Sequence, residues 1–156
     1  LNKLEESGCL VDKKDNSVVL VAPKKLKAVD IKTMPYPGFP TDMQSVFGAM
    51  LTVAKGTSVI VENIFENRYK YMAELKKMGG KITTEGKTAI IKGVRKLSGA
   101  KVVSTDLRGG AALVTAALAA KGKTEVTDVE YILRGYEKLD EKLRKIGANI
   151  SLKEGD

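Results

Sequence analysis

The stretch Lys77-Met-Gly-Gly-Lys-Ile82 returns as Lys145-Ile-Gly-Ala-Asn-Ile150, and a weaker third copy stands at Glu6-Ser-Gly-Cys-Leu-Val11. Gly8, Gly79 and Gly147 read as glycines that stop helices. They belong to no phosphate-binding loop, since neither a Walker nor a dinucleotide pattern is present. Working outward, more pairs fall into register. Thr41-Asp-Met-Gln44 has a counterpart at Thr105-Asp-Leu-Arg108, and Ala54-Lys-Gly-Thr57 at Ala120-Lys-Gly-Lys-Thr124. Leu26-Lys-Ala-Val29 is echoed by Leu97-Ser-Gly-Ala-Lys-Val102. The repeating unit is about 65–70 residues, too long for a common solenoid.

One unit can be read from its residues. Thr41 followed by Gln44 predicts a capping box at a helix start. Met43, Val46, Phe47, Met50, Leu51 and Ala54 then fall on one helical face. Lys55-Gly56 stops that helix. Residues 57–64 are β-branched and strand-like. A second helix covers about 68–78, and short strands follow near 81–84, 88–92 and 101–104. The next unit has the same order. An apolar helix, buried on all sides, starts near Thr105. A strand follows at 124–129, then a helix with Tyr136, Leu139, Leu143 and Ile146 on one face, and a last strand at 149–152. The chain thus holds a half unit (1–31), a full unit (41–104) and most of a third (105–156), an α/β pattern of repeated βαβαββ units with the first incomplete.

Composition narrows the function classes. The 156 residues are 43% hydrophobic and 29% charged, which excludes a wholly disordered chain. The single cysteine, Cys9, allows no disulfide within the chain, and a reducing cytoplasm fits better than secretion. Histidine is absent, which removes His general bases, Ser-His-Asp triads and His-ligated metals. The longest apolar run, 111–120, is far short of the roughly 20 residues a membrane span needs. The first residue is leucine, not methionine, and the chain reads as a piece of a longer protein. The net charge of +8 favours anionic partners. Only Arg68, Arg95, Arg108, Arg134 and Arg144 are arginines, however, and the lysines are scattered. With aromatics at 5%, the clustered, stacking surface of a nucleic-acid binder is missing.

Several residues could carry chemistry. Asp42 and Asp106 occupy matched first-turn positions, where an aspartate complements the helix dipole whether or not it has a further role. Arg68 and Arg134 also match each other, each read at the start of a second helix, where a cation opposes the dipole. Arg108 lies in a first turn as well. Arginine forks at helix N-termini make a cradle for phosphate or carboxylate. The competing reading is an ion pair with Asp106, Glu66 or Glu137. Met34-Pro-Tyr-Pro-Gly-Phe-Pro40 is a rigid loop that leads into the segment bearing Asp42 and either fixes its place or merely punctuates the chain. Cys9 reads as a small turn residue.

Five motifs in order and register carry a resemblance: Pro37-Gly-Phe-Pro-Thr-Asp-Met-Gln44, Phe65-Glu-Asn-Arg68, Leu97-Ser-Gly-Ala100, Thr105-Asp-Leu-Arg108 and Arg134-Gly-Tyr-Glu137. Together they resemble the C-terminal part of the UDP-N-acetylglucosamine 1-carboxyvinyltransferase family, over essentially the whole chain. The tail at 151–156 also looks like that family's natural C-terminus. The resemblance implies an inside-out α/β barrel of the enolpyruvyl transferase type, helices inside and sheets outside, as one of two domains facing a cleft. It implies transfer of the enolpyruvyl group of phosphoenolpyruvate to the 3-hydroxyl of UDP-N-acetylglucosamine, with release of phosphate. The route is addition–elimination through a tetrahedral adduct, with no metal or organic cofactor.

Roles follow from the resemblance alone. Asp42 matches the aspartate that contacts the sugar 3-hydroxyl and takes its proton. Ile64 and Phe65 match the segment that holds the nucleotide sugar. Arg68, Arg108 and Arg134 match arginines that line the phosphoenolpyruvate side, with Arg134 among the catalytic groups. Asp106 matches an acidic partner in that cluster. Two stretches depart from the family pattern: Tyr131-Ile-Leu133 stands where His-Ile-Asp is usual, and Gly109-Gly110 where Ala-Ser is usual. The family's reactive cysteine loop and first-domain cations are absent, and Cys9 does not match that cysteine. The chain is therefore expected to carry half a site, to need the N-terminal domain of its enzyme as partner, and to be inactive alone. The competing readings are an enzyme like 5-enolpyruvylshikimate-3-phosphate synthase and a non-enzymatic module that binds RNA.

Overall fold

The computed structural model describes residues 1–153. Its elements run α1 (Asn2–Glu6), β1 (Leu10–Lys14), β2 (Ser17–Val21), β3 (Ile31–Lys32), α2 (Thr41–Leu51), β4 (Thr57–Val61) and α3 (Lys70–Lys77). Then come β5 (Lys81–Glu85), β6 (Thr88–Lys92), β7 (Lys101–Val103), α4 (Leu107–Ala119), β8 (Glu125–Thr127), α5 (Glu130–Gly135) and α6 (Leu139–Lys145). The strands form an antiparallel β1–β2 hairpin, a four-stranded sheet in the order β3-β4-β6-β5, and a parallel β7–β8 pair. Among the described residues these sheets stay separate and close no ring. Helices α2 and α4 pack on each other and carry much of the core: Phe47, Ala49 and Leu51 from one, Ala112, Leu113 and Ala116 from the other.

The repeated motifs make repeated hydrogen bonds. Gly8, Gly79 and Gly147 take φ of 97°, 91° and 97°. The next residue in each copy reaches back: Cys9 N–H to the Leu4 carbonyl (3.0 Å), Gly80 to Leu75 (2.9 Å) and Ala148 to Leu143 (3.0 Å). That is the Schellman closure, made three times, and only glycine enters the left-handed region at little cost. The Lys55 N–H donates to Leu26 (2.7 Å) as the Lys121 N–H does to Leu97 (2.9 Å). Beyond these bridges β3 runs parallel to β4 and β7 parallel to β8.

Several expectations need correction. The capping box at Thr41 does not form: Thr41 lies inside α2, Pro40 precedes the helix, and no side chain caps it. The Thr41 hydroxyl instead donates to Glu62 (3.0 Å), and Gln44 is fully buried. The inward face of α2 is wider than its apolar spacing: Phe47, Leu51 and Ala54 are buried as expected, Gln44, Ser45, Gly48 and Ala49 join them, and Met43 is 44% exposed. A Cβ on Gly48 would lie 2.2 Å from the Tyr71 hydroxyl oxygen, so the helix can present only glycine there. Helix α4 is buried around Gly109–Val114, but its last turn surfaces and Leu118 is half exposed.

The third unit ends differently from its reading. Tyr136 sits between two short helices, and the turn to α6 passes through Lys138 at φ 47°. No residue of α6 is fully buried: Tyr136, Leu139 and Leu143 of the apolar face are half-buried and Ile146 is exposed. Residues 149–152 form no strand, since no neighbouring strand is there to pair with them. Arg134 lies in the last turn of α5 rather than at a helix start, so the helix dipole favours its charge instead of opposing it.

Candidate functional site

The site gathers at one end of the α2–α4 pair. Asp42, the second residue of α2, is 57% exposed at its side chain. Its Oδ1 accepts from Arg68 Nη2 at 3.0 Å, and its Oδ2 accepts from Arg108 Nη2 at 2.7 Å. Arg68 comes from the turn before α3 and Arg108 from the first turn of α4. The two guanidinium groups thus grip one carboxylate from both sides. Such charge-assisted bonds are stronger and shorter than neutral ones. The hydrogen bond from Arg108 does most to hold the Asp42 carboxyl below the usual aspartate range, opposed by partial burial and helped by the charges of both arginines. The same bond, with one to Tyr136, raises Arg108.

Each arginine also rests on an aromatic ring. Arg68 lies 4.7 Å over the Phe65 ring, Arg108 5.6 Å over Tyr136 and Arg134 5.9 Å over Tyr131. Arg108 Nη1 donates to the Tyr136 hydroxyl at 2.9 Å. Arg68 is nine-tenths buried and also donates to the Thr41 carbonyl at 3.3 Å, while its Nε has no partner. Ring stacking, together with hydrogen bonds to Asp42 and a second acceptor, holds each of the Arg68 and Arg108 guanidinium planes in one orientation. Arg134 pairs with no carboxylate among the described residues and lines a shallow groove with Asp128, Glu130 and Tyr131.

Asp106 does something different from Asp42. It is the N-cap of α4, and its Oδ1 accepts from the backbone N–H groups of Arg108 (3.1 Å) and Gly109 (2.9 Å). The two aspartates are therefore not equivalent, because α2 starts at Thr41 while α4 starts two aligned positions later. The carboxylate that pairs with Arg68 and Arg108 is Asp42, not Asp106, Glu66 or Glu137; Glu137 bonds Lys142 instead (3.1 Å). Ile64 and Phe65 are about half exposed beside this cluster.

Sequence reasoning missed two site residues. Tyr136 belongs to the motif Arg134-Gly-Tyr-Glu137 and to an apolar helical spacing, neither of which signals its bond to Arg108. Glu62 carries one signal in the sequence, an acid closing the β-branched run Thr57-Ser-Val-Ile-Val. Burial and the charge of Glu62 together push the neighbouring Tyr69 hydroxyl up to about 12. Among the described residues no three His, Cys, Asp or Glu side chains gather as metal ligands would, and no helix is long and apolar enough to cross a membrane.

Helix-on-helix packing flanked by small sheets, with arginines clamped on a carboxylate at one end, defines an α/β chain with an anion-binding cluster. The chain belongs to the family described as EPSP synthase (3-phosphoshikimate 1-carboxyvinyltransferase), whose model matches residues 1–143. It is 57% identical over 148 residues to a UDP-N-acetylglucosamine 1-carboxyvinyltransferase of Caldanaerobacter subterraneus, covering 95% of this chain and 36% of that protein. The chain therefore spans about a third of the length of this relative. Among solved structures it superposes on the enolpyruvyl transferase NikO from Streptomyces tendae with a TM-score of 0.87 at 29% identity, covering 96% of this chain and 35% of the other. EPSP synthase from Acinetobacter baumannii shares the fold, with a TM-score of 0.69 at 20% identity, over 96% of this chain and 35% of the other.

Proposed function

We propose that this chain supplies half of the site of an enzyme that transfers the enolpyruvyl group of phosphoenolpyruvate to the 3-hydroxyl of UDP-N-acetylglucosamine. It is most of the C-terminal domain of that enzyme, with the other half of the site on an N-terminal domain. The reaction is the first committed step of peptidoglycan synthesis and runs in the cytoplasm. The observation that carries this reading is the clamp of Arg68 and Arg108 on Asp42. Two oriented cations at an open surface make a preorganised anion site, and such sites stabilise charge best where it develops.

The chemistry follows from the residues. Before substrate arrives, the Asp42 carboxylate occupies the anion site that its arginines form. A phosphate or carboxylate group of phosphoenolpyruvate competes for those guanidinium groups. Losing them raises the proton affinity of Asp42 toward the usual aspartate value, which suits it to accept the hydroxyl proton. The sugar oxygen then bonds to C2 of the enolpyruvyl group while C3 takes a proton. In the second step C3 gives up a proton and the C2–O bond to phosphate breaks. Arg134, presented by Tyr131, holds the anionic substrate, and Ile64 and Phe65 give the nucleotide sugar an apolar wall. Asp106 serves by holding the first turn of α4, and with it Arg108.

The test is complementation. The chain is mixed with the portion of the Caldanaerobacter relative that it does not span, and phosphate release is followed with both substrates. Activity should require both pieces. Arg134→Ala should lower kcat/KM by about a hundredfold or more, while an exposed arginine removed from the surface shifts stability by only about 0.5 kcal/mol. Release with 3-phosphoshikimate as acceptor, and not with the nucleotide sugar, would move the reading to the reaction in the family's description.

A further inference from the structure

We propose that Glu62 is a positioning residue, a buried carboxylate that fixes the segment bearing Asp42 against the segment bearing Phe65 and Arg68 without itself meeting substrate. The proposal rests on reading Asp42 and Arg68 as site residues. Glu62 directly follows β4 and is 2% exposed. Its Oε1 accepts from the Thr33 hydroxyl (2.7 Å) and from the N–H groups of Ile64 (2.9 Å) and Phe65 (3.0 Å). Its Oε2 accepts from the Thr41 hydroxyl (3.0 Å). No cation pairs with it among the described residues. A charge buried without a counter-ion is costly unless hydrogen bonds compensate. Here four donors from three chain segments do so.

The fold itself does not require this burial. The Thr33 N–H donates to the Val61 carbonyl at 2.9 Å, and in the next unit the Ser104 N–H donates to the Thr127 carbonyl at the same distance. The residue after Val61 is Glu62, and the residue after Thr127 is Asp128, also an acid. Asp128 is exposed and turns out at φ 56°. The same junction is therefore built with its acid outside. What distinguishes the first junction is what hangs on it. Arg68 Nη2 is shared between the Thr41 carbonyl and Asp42 Oδ1. A shift of Thr41 moves both acceptors of that donor at once, and Glu62 holds the Thr41 side chain.

The test reads the arginine directly. In the isotope-labelled chain at neutral pH, a paired guanidinium rotates slowly about its Nε–Cζ bond, and NMR line shapes report the rate. The groups that face Asp42 are Arg68 and Arg108, and Arg108 serves as the internal reference. Thr41→Val and Glu62→Ala should each speed Arg68 rotation by about tenfold, as expected when a charge-assisted hydrogen bond loosens. Thr41→Ser should restore the wild-type rate. So should Glu62→Gln, whose amide oxygen can replace Oε1 and whose amide nitrogen can donate to the Thr41 hydroxyl. An Arg68 rate in Thr41→Val equal to wild type would overturn the proposal, and this variant decides if Glu62→Ala does not fold. Because the readout involves no substrate, a failure of the enolpyruvyl transfer reading leaves its result intact.

Discussion

Asp42 sits between two cations, and this fixes how it should respond to pH. Its folded-state pKa lies below the ordinary value of 3.8, chiefly through the hydrogen bond from Arg108. The stabilisation from this pairing is therefore fully present above pH 3.8 and is lost as pH falls through the lower folded value. Asp42 is more than half exposed, so the gain is modest. Asp42→Asn should cost about 1 kcal/mol at pH 7. Thermal melts of wild type and variant should converge as the pH drops below 3.8. A gap that stays constant with pH would mean that the charge of Asp42 does not matter to the fold. As candidates, Asp42 and Arg68 stand out in the sequence by matched spacing and Arg108 by its place in a first turn. Their mutual pairing does not, because Asp42 and Arg108 lie in different units and only tertiary packing brings them together.

At the scale of elements, helix ends were legible and helix faces less so. The three glycine stops appear where the repeat put them, since a left-handed C-terminal residue is a local requirement that one residue type satisfies. The capping box failed because a buried neighbour outside the helix, Glu62, takes the Thr41 hydroxyl. The last strand failed because a strand needs a partner, and local sequence cannot supply one. The glycines make a graded prediction. A Cβ on Gly93 would lie 1.6 Å from the Ala54 carbonyl oxygen, where the chain crosses the end of α2. Gly79 has open space around it but a φ of 91°. Gly79→Ala should therefore cost only about 1 kcal/mol. Gly93→Ala should cost more than about 3 kcal/mol or prevent folding, because backbone must move. Urea titration of both variants gives the order, and equal losses would show that the crossing relaxes easily.

Across the whole molecule stability is unevenly spread, and the sequence concealed this because its apolar residues are spread along the length. The four-stranded sheet buries Ile60, Ala89 and Ile91 against the helices. The β1–β2 hairpin buries almost nothing: Leu10 is 72% exposed, and all five residues of β2, including Val18, Val19, Leu20 and Val21, are exposed on one face or the other. An isolated two-stranded ribbon is marginal in water. Its edge also leaves a row of unpaired backbone groups beside apolar side chains, an invitation to pair with another strand. Local opening is easiest where few apolar contacts must be broken. Amide hydrogen exchange should therefore show the β1–β2 amides exchanging at least about a hundredfold faster than those of β4 and β6. If the N-terminal part of the proposed enzyme covers this ribbon, mixing the two pieces should slow exchange at β1–β2 while leaving the already protected β4–β6 pair unchanged. Equal protection of both sheets in the chain alone would mean that the ribbon is held by contacts beyond those described, and that the exposed valines are not a vacant interface.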